Sequence, residues 1–288
     1  MRRCSNIFMF FLIFIFLIPV VSYAGNKKPR NIMLIFDIKD YNNEIEKTIN
    51  FFFNKTLRQN DQLIIMTPAN KLYSFSRKTL SSSRDKTSKK IKNLLKKDTS
   101  VSLSDYRAIF LQMIDTVKEI GSGEPRNVKN LLVSYENNRN ELVMLRKING
   151  ELLLKFADIF KRSKKISGDT KNYIFLFFQK ELRPIPDRNT MNKLRDNMDV
   201  AFKATEIFLN DNSLLKMDIK KIISEFNKAG VNFNFIYINP KIHKSREYQL
   251  VENSGDIYNA MSRIAKDTHG ISETTSTPQI LFKEFNKK

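Results

Sequence analysis

The 288-residue chain carries 50 Lys plus Arg against 30 Asp plus Glu, a formal charge of +20, and a single cysteine, Cys4. One cysteine excludes an intrachain disulfide framework and a Cys-based metal centre. The basic excess attracts anionic membranes, nucleic acid or acidic polymers, although an AT-rich coding bias that favours Lys over Arg, signalled by the wealth of Asn, Ile and Phe, explains that excess more simply.

Residues 1–24 read as a secretory signal. Arg2 and Arg3 are followed by an apolar run from Ile7 to Val21 and by small residues at Ser22-Tyr23-Ala24. About 15 apolar residues is short for a membrane span, so the expectation is export with cleavage before Gly25, and an uncleaved membrane anchor is the alternative. Cleavage removes Cys4 and leaves 48 basic residues against 30 acidic, or +18. The remaining 25–288 suit one elaborated α/β domain, because strand and helix patterns alternate along the whole length.

The first pattern is Asn31-Ile-Met-Leu-Ile-Phe-Asp37. Its uncharged apolar run predicts a strand buried on both faces, with Asp37 at the carboxyl end, where open α/β sheets bind ligands. Tyr41 to Leu57 has helical spacing at Ile45, Ile49, Phe52 and Phe53, with Glu44 and Glu46 in its early turns. Asp61 to Thr67 predicts a second buried strand, and Lys71 to Ser76 an edge strand. Ser81 to Lys97 predicts a basic surface helix, Thr99 to Asp105 a loop, and Ser104 or Asp105 the cap of a helix through Val117.

From Arg126 to Arg162 apolar residues recur three or four apart, which predicts a long helical region broken near Asn149-Gly150. Lys171 to Phe178 is the most apolar strand and is expected at the centre of the sheet. Helices follow over 188–209 and 214–229, the second capped by Gly230. Then come a strand over 231–238, a loop over 240–253 holding His243, a helix over 256–270 and a last helix begun by Thr277-Pro278.

Asn31 to Tyr41, the strand at Lys171 to Phe178 and the stretch Asp256 to Gly270 together resemble a von Willebrand factor A-like domain of bacteria. In that family Asp-x-Ser-x-Ser opens a metal-ion-dependent adhesion site; Lys39 and Tyr41 hold the two serine positions here. A Thr from a second loop has Ser102 as its nearest positional counterpart. The Asp and Gly expected after the central strand are replaced by Gln179 and Lys180, followed by Glu181. The resemblance implies a Rossmann-like, mostly parallel central sheet with helices on both faces, as a single A-type domain over 25–288. Helical insertions are expected over about 121–170 and 186–215.

The same resemblance points to a rim formed by Asp37, Lys39, Asp40, Ser102, Gln179 and Glu181. A metal cage needs hard oxygen ligands, and Lys39 brings a positive charge into it. The economical reading is that the Lys39 ammonium neutralises Asp37 in place of an ion, so no cofactor is expected; a residual Mg2+ or Mn2+ site rebuilt from Asp40 and Glu181 is the alternative. Catalysis finds no motif: His243 and His269 are far from any triad pattern, and no phosphate-cradling glycine loop occurs. The expected activity is therefore non-enzymatic binding of an unidentified protein partner, with no specific nucleic acid and no small-molecule substrate. The alternatives are an anionic surface bound by Arg84 to Lys97, or a hydrolase with an unrecognised site.

Overall fold

The computed structural model describes residues 28–122, 125–167, 170–209, 217–240 and 245–287. The expected signal over 1–24 and His243 lie outside them. The elements run β1 (Arg30–Asp37), α1 (Asn43–Phe51), a π-helical turn (Phe52–Thr56), β2 (Gln62–Met66), β3 (Leu72–Phe75), α2 (Arg77–Ser82) and α3 (Arg84–Ser122). Next come α4 (Pro125–Met144), α5 (Gly150–Ser167), β4 (Lys171–Gln179), β5 (Leu182–Pro186), α6 (Arg188–Leu194), α7 (Met198–Leu209) and α8 (Ile219–Lys228). The chain closes with β6 (Val231–Ile238), β7 (Tyr248–Glu252), α9 (Gly255–Asp267), β8 (Ser272–Thr275) and α10 (Ile280–Lys287).

Six strands form one sheet in the order β3-β2-β1-β4-β6-β8, parallel throughout except for the antiparallel edge pair β2/β3. The central strands carry apolar side chains on both faces, so each face needs its own layer. Ile32, Leu34, Phe36 and Phe177 pack with Ile45 and Ile49 of α1, Ile91 and Leu95 of α3, and Phe282 of α10. Phe36 stacks on Phe177 at 4.8 Å between ring centroids. Met33, Ile35, Leu176 and Phe178 meet Phe156 of α5, Phe226 of α8 and Met261 of α9 on the other face. The α/β class with helices on both faces is thus present.

A third cluster lies beyond the strand ends. Met113 and Val117 of α3, Leu132 and Tyr135 of α4, and Ala204 and Phe208 of α7 pack with Ile185 of β5. The strands β5 and β7 form a separate antiparallel pair there. The segment expected as one helical insertion over 121–170 therefore serves two layers, α4 in this third cluster and α5 on the sheet.

Several expectations are corrected. Thr99 to Asp105 is not a loop but the middle of α3, a helix of 39 residues and about 58 Å long at the usual rise. The helix continues because neither Gly nor Pro occurs between Arg84 and Ile120, and Leu95, Thr99 and Leu103 keep a buried stripe at helical spacing. The break near Asn149-Gly150 is real, and it comes with a cap: Asn149 Oδ1 accepts from Leu152 N at 2.9 Å. The helix expected over 188–209 is split into α6 and α7. β7 falls inside the expected 240–253 loop, while β5 and β8 were not foreseen.

Two glycines matter for geometry. Gly230 adopts φ 63° and ends α8, which removes the Cβ penalty of that conformation. At Gly270 a Cβ would lie 1.7 Å from the Phe233 carbonyl oxygen, so only glycine lets α9 turn into β8 against β6.

Candidate functional site at the ends of β1 and β4

The crossover from β1 leads to β2 on one side, and that from β4 leads to β6 on the other, so the crevice outside the carboxyl ends of β1 and β4 is the switch point of the sheet. The register Asp37↔Phe178 sets the two following turns side by side. Gln179 stitches them together, its Oε1 accepting from Lys39 N and from Asp40 N, both at 2.8 Å. The Lys39 side chain folds back over the strand end, and its ammonium donates to Asp37 Oδ1 at 3.0 Å. The same Nζ lies 3.8 Å from Glu181 Oε1.

Arg146, from the link between α4 and α5, closes the group from the other side. Its Nε donates to Glu181 Oε2 and its Nη1 to Asp256 Oδ2, each at 2.9 Å, and its Nη2 donates to the Asn253 carbonyl. Glu181 N in turn donates to Ser254 Oγ at 3.0 Å. Tyr106 of α3 roofs the cluster, with its ring centroid 5.4 Å from Lys39 Nζ, a cation–π contact. The side chains are 14% exposed for Lys39, 2% for Asp37 and 3% for Glu181, so this is a buried charge network.

Burial works against the Lys39 ammonium, but Asp37 and Glu181 outweigh it and raise its pKa. Burial also raises the Glu181 carboxyl above the usual glutamate value, an effect that Lys39 and Arg146 oppose. Desolvation lowers and Glu181 and Asp256 raise the Arg146 pKa, with a net increase, so the guanidinium stays charged. Three carboxylates thus face two cations. Asp37 Oδ2 and Glu181 Oε1 accept no hydrogen bond among the described residues, which makes both depend on the nearby ammonium for compensation.

Of the residues expected at the rim, Asp37, Lys39, Gln179 and Glu181 converge. Asp40 is held by its backbone while its side chain is exposed beside Asn42 Nδ2 at 3.3 Å. Ser102 does not join them. It is half-buried on α3, one turn before Tyr106. Tyr41, in the second serine position, turns into the core beside α1, where burial and Glu46 push its phenol up to about 12.

Tyr106, Arg146, Asp256 and Ser254 complete the cluster and were missed. They arrive from α3, from the α4–α5 link and from the start of α9, and no spacing in the sequence ties position 146 to 181 or 256. A divalent ion shared by Asp37 and Glu181 does not fit the residues present, because the Lys39 ammonium lies between those two carboxylates, 3.0 Å from the first and 3.8 Å from the second. Among the described residues no group of three or more His, Cys, Asp or Glu side chains could hold a metal ion. No helix among them is long and apolar enough to cross a membrane. Compared with known families, curated proteins and solved structures, the chain matches none.

Proposed function

We propose that the chain is an exported A-like domain that binds another protein, without chemistry and without a metal ion, through the rim around the ends of β1 and β4. The opening order β1, α1 and the β2/β3 hairpin agrees with that family resemblance. The observation that carries the reading is the placement of Lys39 Nζ, 3.0 Å from Asp37 and 3.8 Å from Glu181. A fixed ammonium there neutralises the carboxylates electrostatically, as a bound cation would, and keeps both turns ordered. The crevice where an α/β enzyme would hold a substrate is filled by the chain's own side chains, which favours a surface contact over catalysis. Asp40, exposed beside the roofed cluster, is the charged side chain that faces a partner.

Calorimetric titration with Mg2+ and with Mn2+ tests the metal half: no saturable heat is expected, and tight uptake of either ion overturns it. Partner capture from culture fluid or periplasm, with and without chelator, tests the binding half. Capture insensitive to chelator and abolished by Asp40→Lys is expected. Capture that needs a divalent ion, or that survives Asp40→Lys unchanged, sinks the proposal.

A further inference from the structure

The first half of α3 presents a second feature, on a surface the strand-end cluster does not use. Between Arg77 and Lys97 nine basic residues stand against one acidic residue, Asp85. The inner face of the helix is committed to the core through Ile91 and Leu95. It is pinned at its far end by Asp98, which is buried and accepts from Thr67 Oγ1 at 2.7 Å and from Lys71 Nζ at 3.1 Å. Asp98 is therefore spent inward and neutralises nothing on the outer face.

That outer face carries Lys86, Lys89, Lys90, Asn93, Leu94 and Lys97, which line one shallow open groove of about 400 Å³. Lys92 pairs with Glu46 at 3.2 Å. None of the four groove lysines forms an ion pair among the described residues. Like charges three and four apart on a helix repel, and here a rigid frame holds them together with Asp85, in the first turn of α3, as the one acidic residue on the stretch. A solvated helix face ordinarily mixes both signs; this one is built as a single-sign track.

We infer that this face docks a linear polyanion with repeated phosphate groups and no bases. The groove residues include no aromatic side chain, so the stacking platform that single-stranded nucleic acid uses is missing. Leu94 is the only apolar residue in the groove, far too little to sit in a bilayer interface. What remains is a row of ammonium groups along a straight helix, which suits a chain of phosphates lying lengthwise and releasing its counterions.

The test measures binding of inorganic polyphosphate by the whole chain as a function of salt. The variant Lys86→Glu, Lys90→Glu, Lys97→Glu is compared with the control Lys193→Glu, Lys266→Glu, Lys283→Glu, which has the same net charge; all six lysines are exposed. The α3 variant is expected to lose at least about tenfold in affinity at low salt and to flatten the slope of log K against log salt by roughly two. The control is expected to stay within about threefold, since its lysines lie off the track. Equal losses in both variants reduce the effect to overall charge and overturn the inference, as does no binding at low salt. A thymidine oligonucleotide bound tenfold tighter than polyphosphate, or phosphatidylglycerol vesicles bound when polyphosphate is not, overturns it in favour of nucleic acid or membrane. The corresponding triple Lys→Gln variant repeats the measurement should charge reversal prevent folding.

Discussion

Lysine plays opposite parts in two regions of this molecule. At the ends of β1 and β4, Lys39 is enclosed by Asp37, Glu181 and the Tyr106 ring, and its charge belongs to the fold. On the outer face of α3, Lys86, Lys89, Lys90 and Lys97 are exposed and unpaired among the described residues, and their charge is turned outward. A net charge describes neither region. What separates them is whether carboxylates and burial surround the ammonium.

Breaking that contrast should give the largest effect at Lys39. Replacing it in Lys39→Met leaves two buried carboxylates facing each other, and urea denaturation should show a loss of about 3–5 kcal/mol. The same change at Lys90 should stay within about 0.5 kcal/mol. Comparable losses at both positions would dissolve the distinction.

Gln179→Ala should come next. It removes the acceptor of two strand-end N–H groups, worth about 1–3 kcal/mol if they are left unsatisfied. A neutral result would mean that water replaces the amide and that the two turns are not held by Gln179.

Glu181→Gln sharpens the comparison through pH. The folded-state pKa of Glu181 is raised, so its contribution to stability is fully present below the unfolded value and is lost as pH rises through the folded value. Glutamine has no such dependence, so in thermal unfolding the variant should gain on the wild type as pH rises from the ordinary glutamate range through the raised folded value. The half-buried Glu225 has the opposite sign: Lys161 and Lys228 hold its carboxyl down to about 2. Its contribution is present above the unfolded value and is lost as pH falls through about 2. The smallest effect is expected for Lys86→Gln with Lys90→Gln, a stabilisation of a few tenths of a kcal/mol from relieved repulsion, fading with added salt.

The sheet was legible from residues alone because its central strands are apolar without interruption. Ile32 to Phe36 and Ile174 to Phe178 can only be strands covered on both sides. The polar β8, Ser272–Thr275, was invisible because it is shaped by register with Phe235 to Ile238 rather than by its own propensity. β5 and β7 were hidden for a similar reason, as each is a strand only because the other pairs with it. At the site, Asp37, Lys39, Gln179 and Glu181 could be named because they directly follow strands whose neighbours were predictable. Arg146 and Asp256 could not, since their meeting depends on how a helix break and a helix start fold over the sheet. Ser102 was misplaced because serines at 100, 102 and 104 look like a loop, whereas the buried stripe through Leu103 keeps the helix going.

The uninterrupted course of α3 has a mechanical consequence. With no glycine or proline from Arg84 to Ile120, the cover above Lys39 and the lysine track lower down are stretches of one stiff beam with no joint between them. Tyr106 cannot lift away as a loop tip would. Uncovering the ammonium requires the beam to tilt, dragging Ile91 and Leu95 out of the sheet-side layer and breaking the Asp98 anchor. The crevice is therefore shut by the whole tertiary arrangement, and a load applied to the basic face is felt at the strand ends.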